Sequence, residues 1–215
     1  MKLRIVSPAL ILTLLFGNAP CFASSLKSAP STATTFETLE IAQSVWRRFT
    51  SPGGDFTILM PGEPKATAAS TTINDAPVAI VGYFVERYDD TVRYLVTRID
   101  FPNSLDTSKI DREQFLSAMQ NQILQQTNGE MLQDRVVMLG SYPGREIKLQ
   151  TTSNNRPYIA INRLYWVDRS IYQISVTVPQ NLESSLAGSS TGFLDSFKLI
   201  PIEPPANPIE PPANS

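Results

Sequence analysis

The sequence predicts an α+β domain, a central, mostly antiparallel sheet with flanking helices. Short runs rich in Val, Ile, Tyr and Phe recur along the chain, bounded by Pro, Gly and Asp turns. One long helical pattern and one short closing pattern stand among them. No apolar run leads through a glycine-rich turn into a helix, so the dinucleotide and P-loop fingerprints of parallel folds are missing.

The chain begins with the pattern of an export signal over residues 1–23. Lys2 and Arg4 precede an apolar stretch from Ile5 to Phe16, and a small-residue cleavage site ends at Cys21-Phe22-Ala23. That stretch is shorter than the about 20 residues a bilayer span needs, and Pro8, Gly17 and Pro20 would break a helix there. Cys21 could carry a lipid in a leader of another type, but Pro20 directly before it argues against lipid anchoring. Cleavage leaves 16 basic against 20 acidic residues, about −4, and gives no electrostatic footprint for nucleic acid or an anionic membrane. Arg47-Arg48 reads as a solvated strand edge rather than a phosphate clamp.

Residues 24–44 form a Ser/Thr/Ala-rich linker, with a short helix around Phe36 to Val45, capped by Thr34 and Glu37, as the alternative. Residues 201–215 carry PIEPPAN twice. Six prolines and no hydrophobic period predict an extended, disordered tail, read as a spacer; a ligand for an aromatic groove is the functional alternative.

A single domain over residues 45–200 lies between these tails. Trp46 to Thr50 and Phe56 to Met60 flank a Pro-Gly-Gly-Asp loop as a hairpin, and Pro61-Gly62 ends it. Val78 to Glu86 and Val92 to Phe101 form a second pair around Tyr88-Asp89-Asp90. Asp111 is placed to cap a helix with Gln114 three residues on. Phe115, Leu116, Met119, Ile123 and Leu124 then recur at helical spacing until Asn128-Gly129. Four strands follow: Met131 to Leu139, Arg145 to Thr151, Tyr158 to Val167 and Ile171 to Val178. The third lacks clean alternation and so reads as covered on both faces. A short helix closes the domain near Phe193-Leu194-Asp195-Ser196-Phe197.

The composition excludes much chemistry. With no histidine there is no Ser-His-Asp or Cys-His nucleophile system and no imidazole zinc site; the only cysteine lies in the leader. Gly188-Ser189-Ser190-Thr191-Gly192 matches a nucleophile elbow, but no apolar strand enters it and no histidine can take the Ser190 proton; a polar loop is the expectation. Asp89-Asp90 with Asp100 could offer oxygen ligands to a hard cation, though an aspartate-rich turn is usually only a turn. Glu86 and Asp100 could face each other as a glycosidase pair. Tyr83, Tyr88, Tyr94, Tyr158, Tyr165, Tyr172 and Trp166 read as core and cross-strand packing.

Four segments in order carry a family resemblance. Phe56-Thr-Ile-Leu-Met-Pro-Gly-Glu-Pro-Lys65, Tyr142-Pro-Gly-Arg-Glu-Ile147, Arg163-Leu-Tyr-Trp-Val-Asp-Arg-Ser-Ile-Tyr-Gln-Ile174 and Phe193-Leu-Asp-Ser-Phe-Lys198 resemble the landmarks of PsbP-like domains. The resemblance implies an α/β/α sandwich over about residues 46–200. Members include extrinsic subunits on the lumenal side of photosystem II that help hold calcium and chloride, and a relative of similar fold binds a small GTPase. No site residue is carried over, and calcium is implied by the family alone. The resemblance thus implies a non-enzymatic binding or assembly module with a protein partner, accessory to a membrane-associated complex, in the periplasm, thylakoid lumen or extracellular space. The chain is expected to be a monomer without catalytic, cofactor or metal residues; a periplasmic small-ligand carrier is the alternative, ahead of a carboxylate hydrolase.

Overall fold

The computed structural model describes residues 46–73 and 76–201. The expected export signal with Cys21, the Thr34/Glu37 cap and, after Pro201, the duplicated PIEPPAN lie outside the described residues.

β1 (Arg47–Thr50) and β2 (Phe56–Met60) form the expected hairpin. Ser51 Oγ closes its loop by accepting from the amides of Asp55 (2.9 Å) and Phe56 (3.2 Å). β10 (Lys198–Leu199) joins the other side of β2, completing a three-stranded sheet. The larger sheet contains β3 (Lys65–Ile73), β4 (Ala76–Arg87), β5 (Val92–Asp100), β6 (Glu130–Leu139), β7 (Tyr142–Ser153), β8 (Arg156–Val167) and β9 (Ser170–Pro179). Its seven strands run in the order β3-β4-β5-β9-β8-β7-β6, and every neighbouring pair is antiparallel.

α1 (Arg112–Thr127) starts where the sequence places it, with the Gln114 amide donating to Asp111 Oδ1 at 3.0 Å. Asn128, left-handed at φ 46, ends it. Leu116, Met119 and Ile123 pack on Ile147, Leu149 and Leu164, while Trp166 stacks on Phe101 at 5.1 Å and meets Phe115 edge-on. α2 (Glu183–Asp195) lies on the opposite face, where Leu186, Phe193 and Leu194 join Tyr94, Ile174, Val176 and the inward residues of β2. Successive β8 residues alternate between the two cores, Leu164 and Trp166 in one, Tyr165 and Val167 in the other. Both faces are apolar, hence the missing polar alternation.

The structure corrects two expectations. β3 was not foreseen, because Lys-Ala-Thr-Ala-Ala-Ser-Thr-Thr-Ile has little apolar contrast to reveal its period. Gly188 to Gly192, expected as a polar loop, lies inside α2. Leu186, Ser190, Phe193 and Leu194 fall on one buried helical face, so packing overrides weak glycine and serine propensity. Gly144 has a steric role: a Cβ there would come within 2.4 Å of the Leu164 carbonyl oxygen, so the strand begins at Tyr142 and passes close to β8.

Candidate functional site

The candidate site is the β6 edge. α1 delivers the chain to it through a tight corner: Thr151 Oγ1 donates to the Thr127 carbonyl (2.6 Å), and a Cβ on Gly129 would sit 2.9 Å from Leu149 Cδ1. β6 then pairs with β7 from Glu130 opposite Gln150 to Leu139 opposite Tyr142. An irregularity between Met131 and Gln133 leaves Leu132 without an opposite residue on β7.

Glu130 is exposed at the start of this strand, whereas its two central charges, Asp134 and Arg135, are engaged by neighbouring elements. Asp134 accepts from Arg145 Nη2 (2.5 Å) and Gln120 Nε2 (3.1 Å), and Arg145 Nη1 also donates to Glu113 of α1 (2.8 Å). The Arg145 hydrogen bond holds the Asp134 carboxyl below its ordinary range despite partial desolvation. On the other face, Arg135 Nε donates to Glu146 Oε1 (2.8 Å). Arg163 Nε donates to Glu146 Oε2 (2.6 Å), and Arg163 Nη1 lies 2.7 Å from Asp195 of α2. Glu146 is buried, so this chain of charges ties β6, β7, β8 and α2 together.

The apolar residues of β6 are not held this way. Leu132 is 47% exposed, Val136 70% and Met138 59%. Val136 and Met138 stand opposite Arg145 and Pro143 on the α1 side, while Val137 and Leu139 turn the other way and pack into the α2-side core. Among the described residues no strand pairs with the outer side of β6, so the edge presents backbone groups flanked by exposed aliphatic side chains.

The other candidates separate. Glu86 lies opposite Arg93 and Asp100 opposite Ala79, about 23 Å apart along the ladder at about 3.3 Å per residue, too far for a glycosidase pair. Asp89 and Asp90 occupy a left-handed turn at one end of β5; Asp100 at the other end accepts from Arg98 Nε (2.7 Å) and Ser170 Oγ (2.6 Å). No cluster of three acidic, cysteine or histidine residues able to hold a metal occurs among the described residues. Ser190 is buried within α2. Tyr94, Tyr165, Tyr172 and Trp166 are core residues, whereas Tyr88 is exposed. Arg47 and Arg48 are exposed on β1. Between α1 and the sheet, where a carrier would need its pocket, Leu116, Met119, Ile123, Leu149 and Leu164 occupy the space. Open grooves lie elsewhere, one of them lined by Thr91, Arg156, Tyr158, Pro179 and Asn181.

Sequence reasoning missed the β6 edge. Its apolar content was visible, but only the sheet order reveals that the strand stands last.

No family model matches the chain, and no curated protein matches its sequence. Among solved structures, it is similar to the cyanobacterial PsbP (CyanoP) of Synechocystis sp. PCC 6803, with TM-score 0.49 and 7% identity, over 75% of this chain and 96% of that one. LpqN of Mycobacterium tuberculosis, described as involved in cell envelope biogenesis, gives TM-score 0.43 and 7% identity over 73% of this chain and 91% of that one. PA94 of Pseudomonas aeruginosa, of unknown function and described as a putative regulator, gives 0.42 and 5% over 74% and 99%. These are likenesses of chain course, and no residue role is taken from them. No helix among the described residues is long and apolar enough to cross a membrane.

Proposed function

We propose that this chain is an exported, non-catalytic binding module of PsbP-like α/β/α type that docks a protein of a membrane-associated complex along β6. The observation that carries this reading is the edge itself: Val136 and Met138 are exposed on a terminal strand whose charges, Asp134 and Arg135, are engaged within the chain. An extended partner segment adds to such an edge through main-chain hydrogen bonds, and apolar side chains supply the selectivity. The export signal supports a periplasmic or lumenal setting. The separation of the acidic and serine candidates supports a role without covalent chemistry.

The test compares the wild type with V136K/M138K for retention on membranes of the source organism. The reading expects the wild type to be retained and the variant to be lost, with matching thermal unfolding. Equal retention of both, or retention of neither, overturns it.

A further inference from the structure

We propose that, when no partner is bound, a second copy of this chain covers the β6 edge, pairing β6 with β6 about a two-fold axis normal to the sheet at Val137. The proposal rests on the reading of β6 as a docking edge and names its occupant in the free protein. A terminal strand with exposed aliphatic side chains needs a cover in water, and the described sheet ends at β6.

Symmetry restricts what a second copy can do. In an antiparallel pair about such an axis, directly opposed residues share a face, so the axis must pass through a residue position. An axis at Asp134 sets it against the partner's Asp134, and an axis at Arg135 sets it against the partner's Arg135; both oppose like charges. An axis at Val136 puts Asp134 against the partner's Met138. With the axis at Val137, Val136 meets the partner's Met138 and Met138 meets the partner's Val136. Val137 then meets the partner's Val137, and Arg135 meets the partner's Leu139. This register joins the two most exposed aliphatic residues of the strand and opposes no like charges. Arg135 fits it because Glu146 already holds its guanidinium, leaving the aliphatic stem to face Leu139. Two seven-stranded sheets become one continuous sheet. The same operation on β3 brings Ser, Thr and Ala together and gains little apolar contact.

The pairing is short, so the interface belongs to the small, transient class, with a Kd on the order of 10 μM. The expected monomer is then the dilute limit of this equilibrium.

The experiment is sedimentation equilibrium of the full chain carrying Cys21→Ser, from about 1 μM to about 200 μM, a range that brackets such a Kd. The proposal expects a monomer–dimer equilibrium that V136K/M138K weakens by more than about tenfold and S70K/T72K on β3 leaves within about twofold. In the same background, V137C should air-oxidise to a disulfide-linked dimer, and L132C, outside the paired register, should not. A monomer throughout, a dimer indifferent to V136K/M138K, or equal cross-linking at both positions overturns the proposal. A chain that stays monomeric yet loses its membrane partner through V136K/M138K overturns self-pairing alone and leaves the docking reading standing. A dimer broken by V136K/M138K in a variant that keeps its membrane partner overturns the docking reading instead.

Discussion

The two edge strands of the large sheet are nearly equal in length and opposite in chemistry. β3 carries Lys, Ala, Ser and Thr, with Ile73 alone as a large aliphatic residue, and its exposed positions include Ala68, Ser70 and Thr72. Its charged residue, Lys65, reaches Glu86 at 3.6 Å and remains mostly solvated. β6 exposes Leu132, Val136 and Met138, while Asp134 and Arg135 are engaged by Arg145 and Glu146 in networks running to α1, β8 and α2. A sheet edge is normally kept from pairing by charge or by low apolar content. β3 has the second protection, whereas β6 between Val136 and Leu139 carries no charge, and the flanking Asp134 and Arg135 are engaged by Arg145 and Glu146. The contrast teaches that the fold guards one edge and leaves the other available.

The largest break in this contrast comes from the buried anchor. Glu146→Ala removes the buried carboxylate that Arg135 and Arg163 share, leaves Arg163 only the more exposed Asp195, and should cost about 3 kcal/mol in chemical denaturation. Lys65→Ala removes an exposed pair on β3 and should cost less than about 1 kcal/mol. Next, exchanging edge chemistry should move the association rather than the fold. V136T/M138T should suppress self-association and S70V/T72M should create it at β3. Each should leave the unfolding midpoint nearly unchanged, as light scattering beside thermal melts would reveal. Asp111→Ala removes the α1 cap ahead of β6 and should cost about 1 kcal/mol.

pH should separate the edges more subtly. Asp134 has a depressed pKa, so its contribution is present above the ordinary carboxyl value of 3.8 and is lost as pH falls through the lower folded value. Acidification below about pH 4 should therefore speed amide exchange along β6. Alkali acts on the core instead. Burial pushes the Tyr94 and Tyr172 phenols up to about 12 from 10.0, so their contribution is complete below pH 10 and lost as pH rises through about 12. Phenolate absorbance should rise together with global unfolding in that window, without distinguishing the two edges.

Much of this fold was legible in the sequence. The α1 stripe, the Asp111 cap and the Asn128-Gly129 stop all specify one helix, and tertiary packing agrees with them. The first two hairpins were legible because Pro-Gly-Gly-Asp and Tyr88-Asp89-Asp90 mark their turns, where Gly54, Asp89 and Asp90 adopt the positive φ that tight turns need. β3 stayed hidden because Ala, Ser and Thr barely distinguish its two faces, and the middle of α2 because its glycines and serines lie on a helix held by Leu186 and Phe193. The candidate site was less legible. Nothing local to Glu130–Leu139 says that its neighbour is β7 alone, nor that Asp134 and Arg135 are taken by residues 11 positions away.

Amide hydrogen exchange on both edges, followed with rising protein concentration and then with membranes of the source organism, tests the central claim most directly. The account predicts that protection grows along residues 135–139 while β3 between Ser70 and Thr72 stays unchanged. Protection that grows equally at both edges, or at neither, would contradict it.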